Sequence, residues 1–312
     1  MLSVIIPCFN EEQVIEQSHC ALTEALDALD MPCELLYVDD GSTDGTAGIL
    51  RGFAEQSTRV RMISLSRNFG HQVAMTAGIE HARGDAVVLI DADLQDPPGV
   101  IAEMVARWRE GYDVVYGRRT ERIGETAFKR TTAALFYRLI NKLCDTPMPI
   151  DAGDFRLMDR RVVDALRRMP EHDRFMRGMV SWLGFRQVAV PYRRDARAAG
   201  QTKYPLFKMI GLAFDAVLSF STLPLRLATW IGLCTATLAL IGIAYALFVR
   251  LFLTESAWVP GWASLLTALL LLGGVQLMFL GLIGEYIARI YRETKRRPLY
   301  LVQERLGFDD KP

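Results

Sequence analysis

The stretch Ala86–Gln95, AVVLIDADLQ, joins five consecutive apolar residues to two aspartates that stand one residue apart. The apolar run predicts a buried β-strand, and Asp91 and Asp93 follow where it ends. Open α/β sheets bind their ligands at the carboxyl ends of the strands. Because strand residues alternate faces, the two carboxylates point the same way and can converge on Mg²⁺ or Mn²⁺. Taken alone, the pattern also fits a solvated acidic turn.

Strand-like and helix-like segments alternate around this stretch. The predicted strands are Ser3–Pro7, Leu35–Val38, Val60–Leu65, Ala86–Ile90 and Val114–Tyr116, and the predicted helices are Glu12–Leu29, Thr43–Glu55, Gln72–His81 and Pro98–Trp108. This alternation indicates an α/β fold whose mostly parallel sheet carries helices on both faces. The chain has no GxGxxG after its first strand and no GxxxxGK(S/T), which argues against a dinucleotide enzyme and a P-loop ATPase.

A second acidic loop, Asp39–Gly45, follows the second predicted strand. Ser42 or Thr43 can cap the helix behind it, and its glycines permit a tight turn. The loops after the second and fourth strands are therefore predicted to face one crevice. Basic residues follow along the chain: Arg118, Arg119, Lys129, Arg130, Arg156, Arg174, Arg177, Arg197 and Lys203. Singly each fits a solvated surface charge, but together the acids and bases suggest two phosphorylated substrates, one bound through a metal and one through arginine forks.

Composition narrows the class of protein further. Among 312 residues, 36 Lys and Arg balance 36 Asp and Glu, so the net charge gives no indication of nucleic acid as a partner. The five cysteines form no CxxC pair, which is typical of a reduced, cytosolic chain. The amino terminus has too short an apolar run for a signal peptide and is predicted to be the first strand.

Two long uncharged segments, Leu227–Val249 and Gly261–Gly284, are predicted to span a membrane. At 1.5 Å per residue each reaches about 35 Å, against a hydrocarbon core of about 30 Å. A pair of buried core helices is the alternative. Basic residues flank the pair, whereas the connection Arg250–Pro260 carries only one arginine and one glutamate. The positive-inside rule then places both termini and the large amino-terminal domain in the cytoplasm.

The segment Tyr204–Leu223 has small and polar residues at helical spacing along one side and apolar residues elsewhere. This pattern predicts an amphipathic helix in the headgroup region, or alternatively a helix packed on the soluble domain. The predicted organisation is a soluble domain (1–203), the amphipathic region (204–226), a two-helix transmembrane hairpin (227–288) and a basic cytoplasmic tail (289–312). Four small residues in the second span offer faces for helix packing: Gly273, Gly274, Gly281 and Gly284.

Several motifs resemble those of one family, the GT-A-fold glycosyltransferases. Val4–Glu11 (VIIPCFNE), Val38–Ser42 (VDDGS) and Asp91–Pro98 (DADLQDPP) are most similar to the dolichol-phosphate mannose synthases and the bacterial polyprenyl-phosphate glycosyltransferases. The match extends through Gly153–Leu157, Arg174–Gly178 and Gly200–Tyr204, and the two-span tail is similar to the bactoprenol glucosyltransferase branch. The resemblance implies a cytoplasmic catalytic domain on a multi-pass protein of the bacterial inner membrane, assembled as a homo-oligomer, with a tetramer favoured.

The resemblance also implies roles for individual residues. The nucleotide base and ribose would lie against Pro7, Phe9, Glu11, Val38 and Asp40, with Ala92 in the same nucleotide-sugar site. The metal Mg²⁺ or Mn²⁺ would be held against the diphosphate by Asp91, Asp93 and Gln95. The donor diphosphate and the lipid phosphate would be bound by Arg119, Arg130, Arg197 and Lys203. Phe9 stands where relatives often have tyrosine, and Gln201 where many have glutamate, which leaves any role of that acid in question.

The implied reaction is inverting transfer of a sugar from a nucleotide sugar to polyprenyl (undecaprenyl) phosphate, with Asp93, Asp154 and Arg130 as the catalytic set. UDP-glucose is the first choice of donor, while UDP-galactose, UDP-aminosugars and GDP-mannose stay open. A phosphate monoester with a second pKa of about 6 is already anionic at pH 7, so no strong base is needed. Asp154 is expected to position the acceptor phosphate or the sugar; the alternatives are a weak base and a structural partner of Arg156.

Two other functions are alternatives to a polyprenyl-phosphate glycosyltransferase. A processive polysaccharide synthase would carry a QxxRW motif and a channel of several spans, and the chain has neither. A non-catalytic membrane scaffold that binds sugar nucleotides would not require the aspartate pair together with the basic residues that follow it. Metal-dependent turnover would separate the enzyme from the scaffold.

Overall fold

The computed structural model describes residues 1–120, 152–193, 223–252 and 261–308. The chain divides into two units. The first comprises Met1–Lys142, Thr146–Ile210 and Arg297–Pro312, and the second comprises Leu143–Asp145 and Gly211–Arg296. The predicted amphipathic helix, Arg130, Arg197 and Lys203 lie outside the described residues, as does most of the connection between the two predicted spans.

The first unit is built on one eight-stranded sheet. Its strands are β1 (Leu2–Cys8), β2 (Cys33–Asp39), β3 (Val60–Leu65), β4 (Ala86–Leu89), β5 (Val114–Arg119), β6 (Ala152–Asp159), β7 (Gln187–Tyr192) and β8 (Val302–Leu306). Their order across the sheet is β7-β5-β6-β4-β1-β2-β3-β8. The five predicted strands are confirmed. The sheet is mixed, because β6 runs antiparallel to both β4 and β5, and β8 runs antiparallel to β3.

Helices cover both faces of this sheet, as predicted. They are α1 (Ile15–Asp27), α2 (Thr46–Gln56), α3 (His71–His81), α4 (Val100–Arg109), α5 (Arg160–Arg167) and α6 (Met176–Trp182). Alternate residues of β1, such as Val4 and Ile6, join the core beneath α1 and α4, while Ile5 faces α3. Strands β1 and β2 are buried along their whole length, which explains their largely apolar sequences.

Gly78 allows α3 to lie close against β1. A Cβ atom at this position would stand closer than 3.0 Å to Cγ2 of Ile5, whose side chain is fully buried. Gly52 in α2 provides a matched comparison, because nothing lies within 4 Å of a Cβ built there.

Gly78→Ala is expected to destabilise the first unit by about 1–3 kcal/mol, because the added methyl group overpacks the core. The midpoint of thermal unfolding should fall by about 3–10 °C. Gly52→Ala should be neutral or stabilising by up to about 1 kcal/mol, since alanine is the better helix former. Equal midpoints for the two variants would contradict the close packing of α3 on β1.

The second unit contains two long helices, α7 (Leu223–Phe252) and α8 (Trp262–Thr294). Within the described ranges one stretch, Leu271–Thr294, is long and apolar enough to cross a membrane, with a mean hydropathy of 1.6. Ala228–Gly242 is a shorter apolar helix. Helices therefore form where both spans were predicted, and the crossing by two spans stays a prediction. Helix α8 continues to Thr294, ten residues beyond the predicted end of the second span.

The residues after α8 return to the sheet, which differs from the basic tail predicted for 289–312. Strand β8 pairs with β3, with Met62 opposite Leu306 and Ser64 opposite Glu304. Arg51 of α2 donates two hydrogen bonds to the carboxylate of Glu304, at 2.7 and 3.3 Å. The N–H of Ser66 donates to the carbonyl of Leu301 at 2.9 Å. The segment thus covers the β3 edge of the sheet.

Candidate active site

The candidate site lies at β1, the strand from which the chain adds β2 and β3 on one side of the sheet and β4 on the other. Strand β1 stands between β2 and β4, so the loops that follow these three parallel strands meet at one edge of the sheet. Crevices at such points are where open α/β sheets bind ligands. Antiparallel β6 begins at this edge, and it brings Asp154 to the same place as the aspartates after β4.

The loops after β1 and β2 interlock through hydrogen bonds. Asn10, with a left-handed φ of 56°, donates its N–H to Oγ of Ser42 at 3.0 Å and accepts the N–H of Thr43 on Oδ1 at 2.8 Å. The N–H of Glu11 donates to Oγ1 of Thr46 at 2.9 Å. These hydrogen bonds hold Asn10 and Glu11, the two residues that follow Phe9. Phe9 itself is 42% exposed. The predicted stacking residue therefore presents its ring beside a well-anchored loop.

Asp40 holds a third loop in place. Its two carboxylate oxygens accept the N–H groups of Phe69 and Gly70, at 2.7 and 2.9 Å. Burial raises the pKa of Asp40, and these two hydrogen bonds oppose the rise. At Gly41, φ is +67° and a Cβ would clash with the backbone of Arg67, so only glycine fits. The predicted nucleotide-binding residue Asp40 thus also organises the loop that leads into α3.

The loop after β4 holds the paired aspartates in a strained turn. Oδ1 of Asp93 accepts the N–H of Gln95 at 3.1 Å, as in an Asx turn. Leu94, which lies between Asp93 and Gln95, adopts a φ of +56°, and this backbone conformation is unfavourable for a bulky side chain. Backbone strain of this kind concentrates at functional sites, where the surrounding structure maintains it.

Negative charges crowd around Asp91. Burial raises its pKa to about 6, and the carboxylates of Asp96, Asp154 and Asp93 contribute to the rise. The charge of His71 opposes it, with Nε2 lying 3.4 Å from Oδ1 of Asp91. A bound cation would stabilise the ionised form of this carboxylate.

The acids fit a divalent cation that is shared with a substrate. In the part of the chain that the structure describes, no cluster of three or more His, Cys, Asp or Glu side chains is arranged to hold a metal ion. Mg²⁺ commonly needs only one or two carboxylates, because substrate phosphates and water complete its coordination. Asp91 and Asp93 supply hard oxygen ligands of this kind in a crowded acidic environment. The predicted metal role of Asp91, Asp93 and Gln95 is compatible with this arrangement and stays a prediction.

Asp154 is engaged by an arginine from α6. The pairing of β4 with β6 ends at Leu89 and Arg156, and the charge of Asp154 contributes to the raised pKa of Asp91, so both carboxylates lie at this end of the two strands. Arg177 donates Nε and Nη2 to the two oxygens of Asp154, at 2.9 and 3.0 Å. Burial alone would raise the pKa of Asp154, but the charge and hydrogen bonds of Arg177, with the charges of Arg156 and His71, lower it to about 2.

Two arginines act on Asp154 in different ways. Arg177 forms the hydrogen-bonded ion pair, whereas Arg156 donates Nη2 to the carbonyl of Gly153 at 3.0 Å and acts on Asp154 through its charge. The lowered pKa keeps Asp154 ionised, and its roles as a positioning group or as a weak base stay predictions.

The predicted phosphate-binding residue Arg119 lies at the end of β5. Its Nε donates to Oη of Tyr192 at 3.3 Å, and the hydroxyl of Tyr192 donates to Asp96. Burial and the charge and hydrogen bond of Asp96 raise the pKa of Tyr192 beyond its ordinary range. A chain of polar contacts therefore links Arg119 to the acidic loop after β4.

Three predicted nucleotide-binding residues are buried. Pro7 pairs with Val38 between β1 and β2, Val38 has no exposed surface, and Ala92 is 3% exposed. The structure does not present the side chain of Val38 to a ligand, because that side chain belongs to the core. Conversely, no pattern in the sequence pointed to His71 or Tyr192. Arg177 was predicted only as one of several basic residues, and its ion pair with Asp154 was not predicted.

The fold and the edge of the sheet define a GT-A-like α/β protein with an acidic, metal-compatible site. Residues 3–167 match the family model described as "Glycosyl transferase family 2", and residues 223–290 match "GtrB C-terminal hairpin". The chain belongs to glycosyl transferase family 2.

Relatives extend this match over nearly the whole length. The chain is 50% identical to the "uncharacterized glycosyltransferase YkcC" of Bacillus subtilis, covering 99% of this chain and 95% of that protein. It is 46% identical to the "uncharacterized glycosyltransferase sll0501" of Synechocystis, covering 100% and 97%. It is 40% identical to the bactoprenol glucosyl transferase of Shigella phage SfX, covering 97% and 99%.

Among solved structures, glucosyl-3-phosphoglycerate synthase from Mycobacterium tuberculosis, in complex with Mn²⁺, UDP and phosphoglyceric acid, is similar to part of the chain. It is 22% identical, covers 70% of this chain and 76% of that one, and has a TM-score of 0.48.

Proposed function

We propose that this glycosyltransferase moves a sugar from a nucleoside diphosphate to a polyprenyl phosphate, with inversion at the anomeric carbon. The observation that carries the proposal is the edge of the sheet, where the carboxylates after β4 lie near the ion pair of Asp154 and Arg177, close enough for the charge of Asp154 to raise the pKa of Asp91. Acids suited to a metal-bound diphosphate thus lie beside a cationic group suited to a second phosphate. Relatives named bactoprenol glucosyl transferase, 40% identical over 97% of the chain, support the acceptor class.

The donor occupies the loops after β1, β2 and β4 in this proposal. The exposed ring of Phe9 stacks on the base, and Asp91, Asp93 and Gln95 would hold Mg²⁺ or Mn²⁺ beside the diphosphate. A divalent cation, when bound, would act as a Lewis acid on the departing nucleoside diphosphate. UDP-glucose is the proposed donor, and UDP-galactose, UDP-aminosugars and GDP-mannose are the alternatives that an assay must distinguish.

The acceptor reaches the site from a membrane. The apolar surface of α8 and the match of residues 223–290 to a C-terminal hairpin support membrane attachment. We place the catalytic unit and both termini at the cytoplasmic face of the bacterial inner membrane, with two spans, on the basis of the charge flanks in the sequence. A homo-oligomer, with a tetramer favoured, belongs to the same proposal.

The attacking oxygen requires no strong base. The phosphate monoester of the lipid is ionised at neutral pH, because its second pKa is about 6. The depressed pKa of Asp154 agrees with a reaction in which the protein orients anions and removes no proton. Arg119, and the arginines and lysine predicted at 130, 197 and 203, would bind the phosphates.

A transfer assay on the detergent-purified protein tests this function. Undecaprenyl phosphate is offered with labelled UDP-glucose, UDP-galactose, UDP-N-acetylglucosamine or GDP-mannose, each with Mg²⁺, Mn²⁺ or EDTA. We expect label to enter the lipid phase with one donor and EDTA to stop the transfer. Donor binding without transfer to the lipid, with every donor and metal, would instead indicate a non-catalytic sugar-nucleotide binder.

A further inference from the structure

The pair formed by Asp154 and Arg177 is held by two hydrogen bonds. Both oxygens of the carboxylate are engaged, at 2.9 and 3.0 Å, in the parallel fork that arginine forms with carboxylates. The side chain of Asp154 is only 11% exposed, whereas that of Arg177 is 29% exposed. The carboxylate thus faces the protein, and the guanidinium is the member of the pair that retains access to solvent.

A second arginine adds positive charge behind this pair. Asp154 and Arg156 stand two residues apart on β6, so their side chains lie on the same face of the strand. Arg156 is 3% exposed, and among the described residues its Nε has no hydrogen-bond partner. The charges of Arg177 and Arg156 both act on Asp154, so two guanidinium groups lie near this carboxylate. Leaving the buried Nε of Arg156 without a hydrogen-bond partner is costly, and an oxyanion bound beside the two guanidinium groups would offset part of that cost.

We propose that Asp154 is a positioning residue which holds Arg177, and that Arg177 is the group that contacts a phosphate oxyanion of the substrates. This inference rests on the proposed function, and it assigns to Arg177 a role that the sequence pattern had given to Asp154. The oxyanion belongs either to the diphosphate of the donor or to the phosphate monoester of the acceptor. The two sources share the same chemistry and differ in which KM they affect.

A double-mutant cycle on the full-length detergent-purified protein tests the proposal. The variants are Asp154→Asn, Arg177→Gln and the two combined. Misplacement of a group by about 1 Å costs about 10²-fold in rate, so each single variant should lower kcat/KM by about 10²-fold. If Asp154 acts through Arg177, the combined variant should be no more than about threefold worse than the poorer single variant. A combined loss equal to the product of the two single losses would overturn the proposal.

The KM values identify the source of the oxyanion. A rise in KM for the lipid with an unchanged KM for the nucleotide sugar assigns Arg177 to the acceptor phosphate, and the reverse assigns it to the donor diphosphate. No change in either KM, with a loss in kcat alone, would contradict ground-state contact with a phosphate. The exposed pair of Asp27 and Arg59, joined at 2.6 Å, is a matched control, and its neutral variants should leave both KM values unchanged.

Rescue by guanidinium separates positioning from a folding defect. Arg177→Ala should regain activity, by at least about tenfold, when millimolar guanidinium is added, because Asp154 can hold the added cation in place of the side chain. The variant that combines Arg177→Ala with Asp154→Asn should show no rescue. Equal rescue of both variants, or rescue of neither while donor binding is intact, would overturn the proposal. Wild-type protein assayed in parallel reports on the proposed function separately, since its failure to transfer any sugar would reject that function itself.

Discussion

Asp93→Asn is expected to abolish sugar transfer and to leave the protein folded. Asparagine retains an Oδ1 that can accept the N–H of Gln95, so the strained turn after β4 should persist. It removes an anionic oxygen from the proposed metal site, and Lewis-acid stabilisation of a leaving diphosphate is worth several kcal/mol. We therefore expect a loss of at least about 10³-fold in kcat, measured as the initial rate of label entering the lipid.

Asp30→Asn is the control for this variant. Asp30 is an exposed aspartate in the turn between α1 and β2, at the opposite edge of the sheet, and its replacement should leave the rate unchanged. Calorimetric titration of donor with Mn²⁺ and with EDTA adds an independent readout. The metal dependence of binding should be large in the wild type and small in Asp93→Asn. A variant with near wild-type turnover would remove Asp93 from the metal site.

Removal of residues 297–312 is expected to destabilise the first unit strongly. Without β8, strand β3 keeps its ladder with β2 but loses the one on its other side, and Arg51 loses its carboxylate partner. The ring of Phe308, which lies 5.0 Å from the guanidinium of Arg61, is lost as well. At about 1 kcal/mol per hydrogen bond the total reaches several kcal/mol, so the thermal midpoint should fall by about 10 °C.

The single substitution Glu304→Gln provides the comparison. It removes only a half-exposed ion pair, which is worth about 0–1 kcal/mol, so its midpoint should change by no more than a few degrees. A midpoint for the deletion that matches this variant would show that β8 contributes little. The same reasoning predicts that a fragment ending at Lys203 aggregates, because the unpaired edge of β3 is exposed.

The sequence was informative where local pattern and burial agree. Strands β1, β2 and β4 are largely apolar because both of their faces are buried. The loops that follow them meet because β1 lies between β2 and β4 in the sheet. The acids at the end of β4 could therefore be placed at an edge of the sheet from the sequence alone.

The sequence pattern did not predict strands β6 and β8 or the ion pair of the site, and each has its own reason. Strand β6 carries Asp154 and Arg156 in a buried stretch, so its polar residues obscured the apolar pattern of a strand. Strand β8, with the sequence VQERL, is largely polar because it lies at the edge of the sheet. The ion pair between Asp154 and Arg177 depends on how α6 packs against β6, and that tertiary contact has no local signature.

The position of β8 in the chain also has a consequence for biosynthesis. Met62 pairs with Leu306, 244 positions later, and both long helices are synthesised in between. At about 5–20 residues per second, the ribosome needs roughly 10–50 s to supply the partner of β3. In the loop after β3, the N–H of Ser66 donates to the carbonyl of Leu301, the residue before β8. This loop can therefore reach its final structure only after that interval. The loop between β3 and α3, whose Phe69 and Gly70 donate to Asp40, therefore waits for synthesis of both apolar helices before it is complete.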